Sequence, residues 1–456
     1  MITASDVQTA GAKLEFGSNQ LVFSTVVTDS RLVEPGALFV ALPGERADGH
    51  CFLKDAVARG AAGLLVSKPT QERPENVALF SAADCLRTLG NLAGLYRLRI
   101  APIVAGITGS CGKTTTKDFL ASILERKAAV LKSQGNHNNE LGLPLTLLSL
   151  RPEHKIAVVE MGMRGLGQIR RLCEIARPQL GVVTNVGQAH LELLGSRENI
   201  AKAKGELIES LPPYGAAILS GDDPTVRAMA RLNAGKTMFF GFGPDNDLWA
   251  EPTGPQSAVF HYGSDRAEVT LPSYGLHNIA NALAAAAAAL ALGYDLSDVA
   301  AGLARAQISD LRLKLQTSRG GWLILNDTYN AAPASSIAAL EVLSQLGSQR
   351  KRRTVAVLAD MLELGADSPE LHRQVGAKAA ETVGELVTVG ELAAQLAQGA
   401  LAAGMPAEKV HSFSTSEEAR DYLLSELRPD ALVLVKGSRA MRMDKIAQAL
   451  RGDEEA

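Results

Sequence analysis

Residues 106–116, Gly-Ile-Thr-Gly-Ser-Cys-Gly-Lys-Thr-Thr-Thr, bring together residue types that bind a nucleotide phosphate. A short apolar run at 103–105 precedes them and a helix-favouring run at 117–126 follows, so the pattern predicts a strand, a glycine-rich turn and a helix. The alternative is a glycine-rich turn that binds nothing, since Ile107 stands where the standard spacing has a glycine. The Gly-Lys-Thr-Thr sequence after a buried strand favours a site for ATP or GTP.

Each side chain of this turn has its own role in the prediction. Gly109 and Gly112 allow the backbone to curl around a phosphate. Lys113 reaches the β- and γ-phosphates, and the Thr114 hydroxyl is a ligand for Mg²⁺. The predicted nucleotide-binding residues of the turn are Gly109, Ser110, Gly112, Lys113, Thr114 and Thr115.

Candidate metal ligands follow the next predicted strands. Glu160 comes directly after the apolar run 156–159, and His190 lies beyond the run 180–184. Ligands of open parallel sheets gather at the carboxyl ends of the strands, where a carboxylate beside a phosphate loop is placed to hold Mg²⁺. A surface glutamate and an ordinary loop histidine are the alternatives, but the position after the strands favours the site.

Two lysines farther along the chain are also candidates. Lys202 and Lys204 are two residues apart in a predicted helix and therefore cannot share a face. At most one of them points inward, and the alternative is that both are solvated.

Amide side chains form two further clusters. Residues 135–140, Gly-Asn-His-Asn-Asn-Glu, are either a structural turn or a polar clamp for a sugar or peptide substrate. Asn278 is either the N-cap of an alanine-rich helix or, with Asn281, a partner for a purine edge. The candidates are Asn136, Asn138, Asn139, Asn278 and Asn281.

Composition limits the class of protein. The chain has 456 residues, 46% of them hydrophobic, and a net charge of −3, so no broad basic surface indicates nucleic acid or an anionic membrane. The four cysteines have no zinc-like or redox-like spacing, which fits a reducing cytoplasm. The N-terminus lacks the features of a signal peptide. The apolar run 279–292 is too short to cross a bilayer comfortably. We therefore expect a cytoplasmic protein, not inserted in a membrane.

Short apolar runs alternate with helical stretches along the whole chain, which predicts parallel sheets covered on both faces. The runs lie at 37–42, 62–66, 77–80, 103–107, 156–159, 180–184, 216–219, 322–325, 354–358, 386–389 and 431–435. The segment 239–275 is predicted to be β-rich or irregular. The segment 97–102 is predicted to be a linker. We predict a three-domain α/β protein with boundaries at 1–99, 100–311 and 312–456.

These motifs, in this order, resemble the Mur ligases of peptidoglycan synthesis. The resemblance rests on 108–115, Glu160, 184–190, 203–204 and His277-Asn278-Ile-Ala-Asn281. It implies that ATP drives amide-bond formation through an acyl phosphate. It also implies two Mg²⁺ ions, one held by Thr114 and Glu160 and the other by Glu160 and His190, and a carbamate on Lys204, with Lys202 as the alternative.

Within this family, the segments 136–148, 360–365 and 435–443 are most similar to the member that adds D-alanyl-D-alanine to UDP-N-acetylmuramoyl-tripeptide. The segments at 28–31 and 35–50 resemble a domain that holds the UDP-sugar. The family member that adds the third amino acid of the peptide has a similar domain, but this chain lacks the Asp-Asn-Pro-Arg motif with which that ligase holds its diamino acid. The resemblance thus implies those two substrates and a monomer. Its fold is a central phosphate-loop ATPase domain between an N-terminal UDP-substrate domain and a C-terminal Rossmann-like domain.

The resemblance completes the set of candidate residues. The implied catalytic residues are Lys113, Glu160, His190 and Lys204. Arg312 is implied near the phosphates and Asp327 near the ribose. The implied substrate-binding residues are Ser30, Arg31, Asp48, His50, Asn136, Asn138, Asn139, Asn330, Lys436, Ser438 and Arg439. Ala332 stands where the family usually has Asn, which puts one polar contact near the nucleotide in doubt.

Two other functions compete with this one. A phosphate-loop NTPase acting as a switch would hydrolyse nucleotide regardless of UDP-N-acetylmuramoyl-tripeptide. A folate polyglutamylating enzyme would be expected to begin near its ATP loop, and the hundred residues before the loop in this chain argue against it.

Overall fold

Parallel sheets covered by helices make up the computed structural model, which describes residues 1–44, 47–70, 77–187, 191–308 and 311–452. Each of the eleven apolar runs overlaps a strand, and the three-unit α/β organisation predicted from the sequence is confirmed. In the part of the chain that is described, no helix is both long and apolar enough to cross a membrane.

The first unit contains a five-stranded sheet, in the order β2-β7-β6-β5-β4, and a small antiparallel pair of β1 and β3. Only the edge strand β2 runs antiparallel to its neighbour in the five-stranded sheet. The elements are β1 (Ile2–Thr3), α1 (Ala4–Thr9), β2 (Lys13–Phe16), β3 (Val22–Phe23), β4 (Val26–Val27), β5 (Leu38–Val40), α2 (Leu53–Ala58), β6 (Gly63–Val66), β7 (Ala78–Ser81) and α3 (Cys85–Ile100).

The middle unit is built on a nine-stranded sheet in the order β16-β15-β14-β13-β12-β11-β8-β10-β9. Its strands are β8 (Ile103–Thr108), β9 (Val130–Lys132), β10 (Ile156–Glu160), β11 (Leu180–Val183), β12 (Ala216–Ser220), β13 (Lys236–Gly241), β14 (Leu248–Pro252), β15 (Ser257–Tyr262) and β16 (Asp265–Thr270). Its helices are α4 (Lys113–Leu124), α5 (Gly142–Leu148), α6 (Gln168–Ala176), α7 (Leu191–Leu194), α8 (Arg197–Glu209), α9 (Pro224–Arg227), α10 (Leu276–Ala291) and α11 (Leu296–Ala304).

The parallel register of this sheet positions the candidate residues. Glu160 at the end of β10 pairs with Ile107 of β8, and Val183 at the end of β11 pairs with Thr108. Because β8 lies between β10 and β11, the residues that follow the three strands meet at one edge. These strands are apolar and almost wholly buried, since helices cover both faces of the sheet.

The third unit is a six-stranded sheet in the order β17-β18-β22-β19-β20-β21, in which only the edge strand β17 is antiparallel. Its strands are β17 (Lys314–Thr317), β18 (Leu323–Asp327), β19 (Arg353–Ala359), β20 (Glu385–Val389), β21 (Val410–Phe413) and β22 (Ala431–Lys436). Its helices are α12 (Pro333–Arg350), α13 (Ser368–Thr382), α14 (Ala394–Ala402), α15 (Ser416–Glu426) and α16 (Asp444–Arg451).

The expected linker at 97–102 is wrong in its first part. Helix α3 continues to Ile100 and packs against the middle unit. The Tyr96 hydroxyl donates to the Leu150 carbonyl at 3.0 Å, and the buried Arg97 guanidinium donates to the Arg177 carbonyl at 3.0 Å. These acceptors lie far away in the sequence, so the local pattern gave no sign of them.

Helices α13 and α14 approach so closely that glycines form the contact. A Cβ atom at Gly376 of α13 would lie 1.9 Å from the Leu396 carbonyl oxygen, and one at Gly399 of α14 would lie 2.1 Å from the Arg373 carbonyl oxygen. The obstructing atoms are backbone and cannot move aside, so the two helices depend on both glycines.

We expect Gly376→Ala to lower the free energy of unfolding by about 2 kcal/mol or more, because it overpacks this contact. Helix propensity alone predicts the opposite sign, a gain of about 1 kcal/mol for alanine. Urea unfolding measures the difference. The control is Gly165→Ala, where a Cβ atom meets open space, and a stabilised Gly376→Ala protein would contradict the packing argument.

Candidate active site

Two glycines shape the turn between β8 and α4. Gly112 has a φ of 85° and precedes the first residue of α4. A Cβ atom at Gly109 would lie 1.9 Å from the Thr184 hydroxyl oxygen, and one at Gly112 would lie 2.0 Å from the Asn281 side-chain oxygen. A larger residue at either position would have to displace these side chains and would be strained by the positive φ, 154° at Gly109 and 85° at Gly112. The turn leaves the free N–H groups of α4 facing the sheet edge.

The residues after β11 hold this turn in place. Ser110 and Cys111 donate their backbone N–H groups to the carbonyl and side-chain oxygens of Asn185, at 3.1 and 3.0 Å. The Thr184 hydroxyl donates to the Cys111 carbonyl at 2.7 Å, and the Gly187 N–H donates to the Ser110 hydroxyl at 2.9 Å. The turn is therefore fixed before any ligand binds.

Lys113 is folded back onto the turn. Its Nζ donates to the Gly109 carbonyl at 2.7 Å and lies 3.5 Å from the Ser110 carbonyl. No carboxylate in the described ranges forms an ion pair with this ammonium, so its charge is available to an anion at the turn.

Thr114, Glu160 and Asn138 form a buried hydrogen-bonded group. The Thr114 hydroxyl donates to Glu160 Oε2 at 2.7 Å, and Asn138 Nδ2 donates to Glu160 Oε1 at 2.8 Å. The Glu160 backbone N–H donates to the Ser133 hydroxyl at 3.2 Å. One carboxylate thus connects the start of α4, the end of β10 and the amide cluster.

These donors suit magnesium, which prefers oxygen ligands and commonly takes one or two carboxylates together with substrate phosphate. The described ranges contain no group of three or more His, Cys, Asp or Glu side chains suited to a metal ion. A magnesium ion bound by Thr114 and Glu160 would therefore need phosphate oxygens to complete its coordination.

Of the two lysines on α8, only Lys204 points inward. Its side chain is 2% exposed, whereas Lys202 is exposed. Burial holds the pKa of Lys204 well below its ordinary value, and the nearby Lys113 charge lowers that pKa further. Lys204 is thus a buried amine that favours the neutral form.

Three polar side chains on the first turns of α10 face the turn after β8. Asn278 Nδ2 donates to the Tyr274 carbonyl at 2.8 Å, and Asn281 Nδ2 lies 3.3 Å from Asn278 Oδ1. Asn278 is not the N-cap, which is Gly275. Burial in the cavity wall lowers the pKa of His277 to about 4, so this ring is neutral at pH 7.

Arg312 reaches the site from the start of the third unit. Its Nη2 donates to the Thr114 hydroxyl at 3.0 Å, and its guanidinium carbon lies 4.1 Å from the centre of the Tyr329 ring. Its Nε is buried without a hydrogen-bond partner. Stacking on Tyr329 holds the guanidinium at the cavity, beside the Thr114 hydroxyl.

Asp327 and Lys436 end neighbouring strands and pair directly in the register of β18 and β22. They form a buried ion pair, with Nζ to Oδ2 at 2.5 Å, and Lys436 also donates to the Asn330 carbonyl at 2.9 Å. The three residues form the wall opposite the phosphate turn.

The phosphate turn, the start of α4, the end of β10, the start of α10 and the third unit surround one cavity of about 310 Å³, whereas Lys204 is not among the residues that line it. Among the sequence-predicted residues, those that line it are Ser110, Gly112, Lys113, Thr114, Thr115, Asn138, Glu160, Asn278, Asn281, Arg312, Asp327, Asn330 and Lys436. Residues that are far apart in the sequence thus converge on one space.

The candidates in the first unit do not line this cavity in the described ranges. Asp29 caps the short helical turn at Ser30–Leu32 and pairs with Arg31 at 2.6 Å. Asp48 pairs with Lys68 and with His50 Nδ1, and His50 Nε2 accepts the Ser67 N–H at 3.0 Å. The Lys68 charge and these hydrogen bonds hold the pKa of Asp48 well below its ordinary value.

Four other candidates have structural partners outside the cavity or remain at the surface. Asn139 Oδ1 accepts from the backbone N–H of Gly142, the first residue of α5, at 2.8 Å, and Asn136 is exposed. The Ser438 hydroxyl accepts the Leu362 N–H at 2.9 Å. Arg439 lies 3.4 Å from Asp444. His190 falls outside the described residues.

Some residues of the cavity were not assigned by the sequence reasoning. His277 and Tyr329 lie inside motifs already singled out, so their neighbours could have pointed to them. Ser133, which supports the Glu160 backbone, had no local signal because only the pairing of β9 and β10 brings it there.

The chain matches three family models, described as Mur ligase family, catalytic domain, at residues 22–85; Mur ligase middle domain, at 107–289; and Mur ligase, glutamate ligase domain, at 311–439. A Bacillus subtilis protein named UDP-N-acetylmuramoyl-tripeptide–D-alanyl-D-alanine ligase is 36% identical over 434 residues, which is 94% of this chain and 94% of that protein.

Solved structures are similar over almost the whole chain. MurF from Acinetobacter baumannii has a TM-score of 0.89 and 36% identity, covering 99% of this chain and 98% of that one. The MurF ligase of Thermotoga maritima in complex with ADP has a TM-score of 0.82 and 30% identity, covering 94% and 97%. The chain therefore belongs to the Mur ligase family.

Proposed function

We propose that this chain is an ATP-dependent ligase that joins D-alanyl-D-alanine to UDP-N-acetylmuramoyl-tripeptide, releasing ADP and phosphate, in the synthesis of peptidoglycan precursors. The observation that carries the proposal is full-length similarity to proteins named for this reaction, combined with a phosphate turn that faces a cavity shared with the third unit. We further propose that it acts in the cytoplasm as a monomer, with units at 1–99, 100–311 and 312–456.

The nucleotide triphosphate is held at the turn after β8. Backbone N–H groups at the start of α4 and the Lys113 ammonium bind its β- and γ-phosphates. Asn278 and Asn281 contact the nucleoside beside Asp327, and the neutral His277 ring adds contact without adding charge. Gly109, Ser110, Gly112 and Thr115 shape or line this part of the site.

The chemistry takes place between the turn and the wall of the third unit. The terminal carboxylate of the tripeptide attacks the γ-phosphorus and ADP leaves, which forms an acyl phosphate. The amine of the dipeptide then attacks the acyl carbon, loses a proton, and displaces inorganic phosphate. Arg312, whose guanidinium lies at the cavity beside Thr114, donates to the transferring phosphoryl group. Closing of the cavity over the bound substrates would protect the acyl phosphate from water.

Thr114, Glu160, His190 and a carbamate on Lys204 are the residues we propose for two magnesium ions, with Thr114 and Glu160 at one and Glu160 and His190 at the other. When bound, magnesium would neutralise phosphate charge and orient the γ-phosphate. The buried Lys204 amine suits carbamate formation because its neutral form is the one that adds CO₂, with loss of one proton, and the product is an anionic oxygen donor.

We assign the UDP-sugar to the first unit, near Ser30, Arg31, Asp48 and His50. Asn138 of the amide cluster lines the cavity, and we propose that the cluster of Asn136, Asn138 and Asn139 contacts the sugar or peptide. For the incoming dipeptide we propose the wall that contains Asn330 and Lys436, near Ser438 and Arg439.

The substrate assignment is tested by phosphate release. With ATP and UDP-N-acetylmuramoyl-tripeptide present, we expect release only when D-alanyl-D-alanine is added, and not with glutamate or single amino acids. Release that ignores the UDP-substrate would indicate a simple NTPase, and release with glutamate would indicate a different ligase.

The carbamate is tested by chemical rescue. We expect Lys204→Ala to lower kcat about 100-fold or more, because an anionic oxygen near the reacting phosphate is lost, and short carboxylic acids such as acetate to restore part of the rate. The matched control is Lys202→Ala on the exposed face of the same helix, which should retain activity. Full activity of Lys204→Ala without added acid would contradict the carbamate.

His277 predicts how stability depends on pH. The pKa of this ring is about 4 in the folded chain and 6.5 in its ordinary state, so between these values only the unfolded chain binds the proton. The free energy of unfolding should therefore fall as the pH is lowered from about 6.5 to about 4. We expect His277→Gln to remove up to about 3 kcal/mol of that fall, measured by urea unfolding across this range. If the free energy of unfolding of the unmodified chain and of His277→Gln changed identically with pH, the role of His277 would be contradicted.

A further inference from the structure

Thr108 carries a buried hydroxyl that the proposed function does not use. The residue ends β8, directly before the phosphate turn, and its side chain is fully buried. Among the described residues, nothing forms a hydrogen bond with its Oγ1. A buried hydroxyl without a partner is unfavourable, so such a group points to something that it binds when the protein works.

The backbone of Thr108 keeps this hydroxyl on one face of the middle sheet. Thr108 pairs with Val183 of β11, and its carbonyl accepts the Thr184 N–H at 3.1 Å. Side chains alternate between the two faces of a strand, so Thr108 lies on the same face as Gly106, two residues earlier. Rotation about the Cα–Cβ bond can turn the hydroxyl but cannot move it to the other face.

Helix α8 covers this face. A Cβ atom at Gly106 would lie 3.0 Å from Leu207 Cδ1, and one at Gly181 would lie 3.1 Å from Leu207 Cγ. Gly106 and Gly181 are paired in neighbouring strands. Leu207 of α8 therefore lies directly over both glycines.

Lys204 lies nearly one turn of α8 before Leu207, on the same side of the helix. Its 2% exposure agrees with a side chain that faces the sheet. Because α8 connects the parallel strands β11 and β12, it runs opposite to them. The step from Leu207 back to Lys204 therefore goes in the same direction as the step from Gly106 to Thr108. The fold brings Lys204 and Thr108 to one place between helix and sheet.

The charges around Lys204 favour an anion at this place. Burial lowers the pKa of Lys204, the Lys113 charge lowers it further, and the Cys111 thiol opposes them. No carboxylate of the described ranges is among the groups that act on this amine. An anionic group on Lys204 would be attracted by Lys113, and it would supply the acceptor that the Thr108 hydroxyl lacks.

We propose that the Thr108 hydroxyl donates a hydrogen bond to an oxygen of the carbamate on Lys204 and thereby stabilises this modification. The neutral amine attacks the carbon of dissolved CO₂, a C–N bond forms while one C–O π bond opens onto oxygen, and the nitrogen releases one proton to solvent. One carbamate oxygen then accepts from Thr108, and the other remains available as a ligand. Thr108 is thus a positioning residue, and its role rests on the carbamate of the proposed function.

The first test measures the carbamate itself. The chain is equilibrated with ¹³C-labelled bicarbonate and CO₂, and ¹³C NMR gives the CO₂ concentration at which half of Lys204 is modified. Lys204→Ala identifies the signal by removing it. We expect Thr108→Val, which keeps the shape but loses the hydroxyl, to raise that concentration about 10-fold, because a hydrogen bond to a charged group is lost.

Thr116→Val is the matched control. The Thr116 hydroxyl is also buried without a partner among the described residues, but it belongs to α4, which packs on the other face of β8. Thr116→Val should therefore leave the affinity for CO₂ unchanged. Equal CO₂ affinity in Thr108→Val and the unmodified chain would overturn the role of Thr108, and so would an equal loss in both variants.

The same spectra distinguish the failure of this role from the failure of the carbamate. If the unmodified chain gives no carbamate signal, either alone or with magnesium and a non-hydrolysable ATP analogue, the carbamate is wrong and the role of Thr108 falls with it. If the unmodified chain gives the signal and Thr108→Val gives it at the same CO₂ concentration, the carbamate stands and only the role of Thr108 is wrong.

Stability and a conservative variant distinguish this role from a structural one. In CO₂-free buffer, Thr108→Val should be at least as stable to heat as the unmodified chain, because valine suits a buried strand and an unpartnered hydroxyl is removed. Thr108→Ser keeps the hydroxyl and should keep the CO₂ affinity of the unmodified chain. Loss of CO₂ affinity in Thr108→Ser equal to that in Thr108→Val would overturn the proposal.

Activity gives an independent check. Added bicarbonate should raise the rate of phosphate release during ligation by Thr108→Val towards that of the unmodified chain, since more CO₂ offsets the weaker modification. Lys204→Ala has no amine to modify and should not respond. A Thr108→Val rate that stays low at every bicarbonate concentration would contradict the role of Thr108.

Discussion

The hydroxyl of Thr114 connects the central sheet of the site to the third unit. It donates to Glu160 at the end of β10 and accepts from Arg312 of the third unit, while its own backbone begins the helix that receives the phosphates. The Thr114 oxygen keeps a second lone pair, so a ligand can bind to it while both partners stay in place. Such a ligand lies beside Arg312, which stacks on Tyr329 in the wall of the third unit. Three segments far apart in the sequence share one hydrogen-bonded centre.

Charge is distributed around this centre in a consistent way. Lys113 and Arg312 lie at the space for phosphate. Lys204, His277 and His372 favour their neutral forms because burial penalises the charged form. The site thus presents positive charge where phosphate binds and leaves neutral groups where a carbamate, a nucleoside or a backbone N–H needs them.

Features of the fold and the site that depend on neighbouring residues in the sequence could be predicted, and features that depend on distant residues could not. The phosphate turn, Glu160 and the parallel sheets follow from short patterns, because glycines, a lysine and apolar runs act through their immediate neighbours. Helical spacing predicts that at most one of Lys202 and Lys204 points inward, but it does not say which. The packing of α8 buries Lys204. The support of the 361–365 segment by His372 and Ser438, which accept two of its backbone N–H groups, had no local signal. The predicted linker at Arg97 was wrong because its partners, Arg177 and Gln179, are distant in the sequence.

The central claim is that this arrangement transfers phosphate from ATP to a substrate carboxylate before the amide bond forms. The most direct measurement uses UDP-N-acetylmuramoyl-tripeptide with isotopically labelled oxygen in its terminal carboxylate, and mass analysis of the phosphate released during ligation. The account predicts that one labelled oxygen appears in each phosphate. Ligation that releases only unlabelled phosphate would contradict it, whatever the substrates.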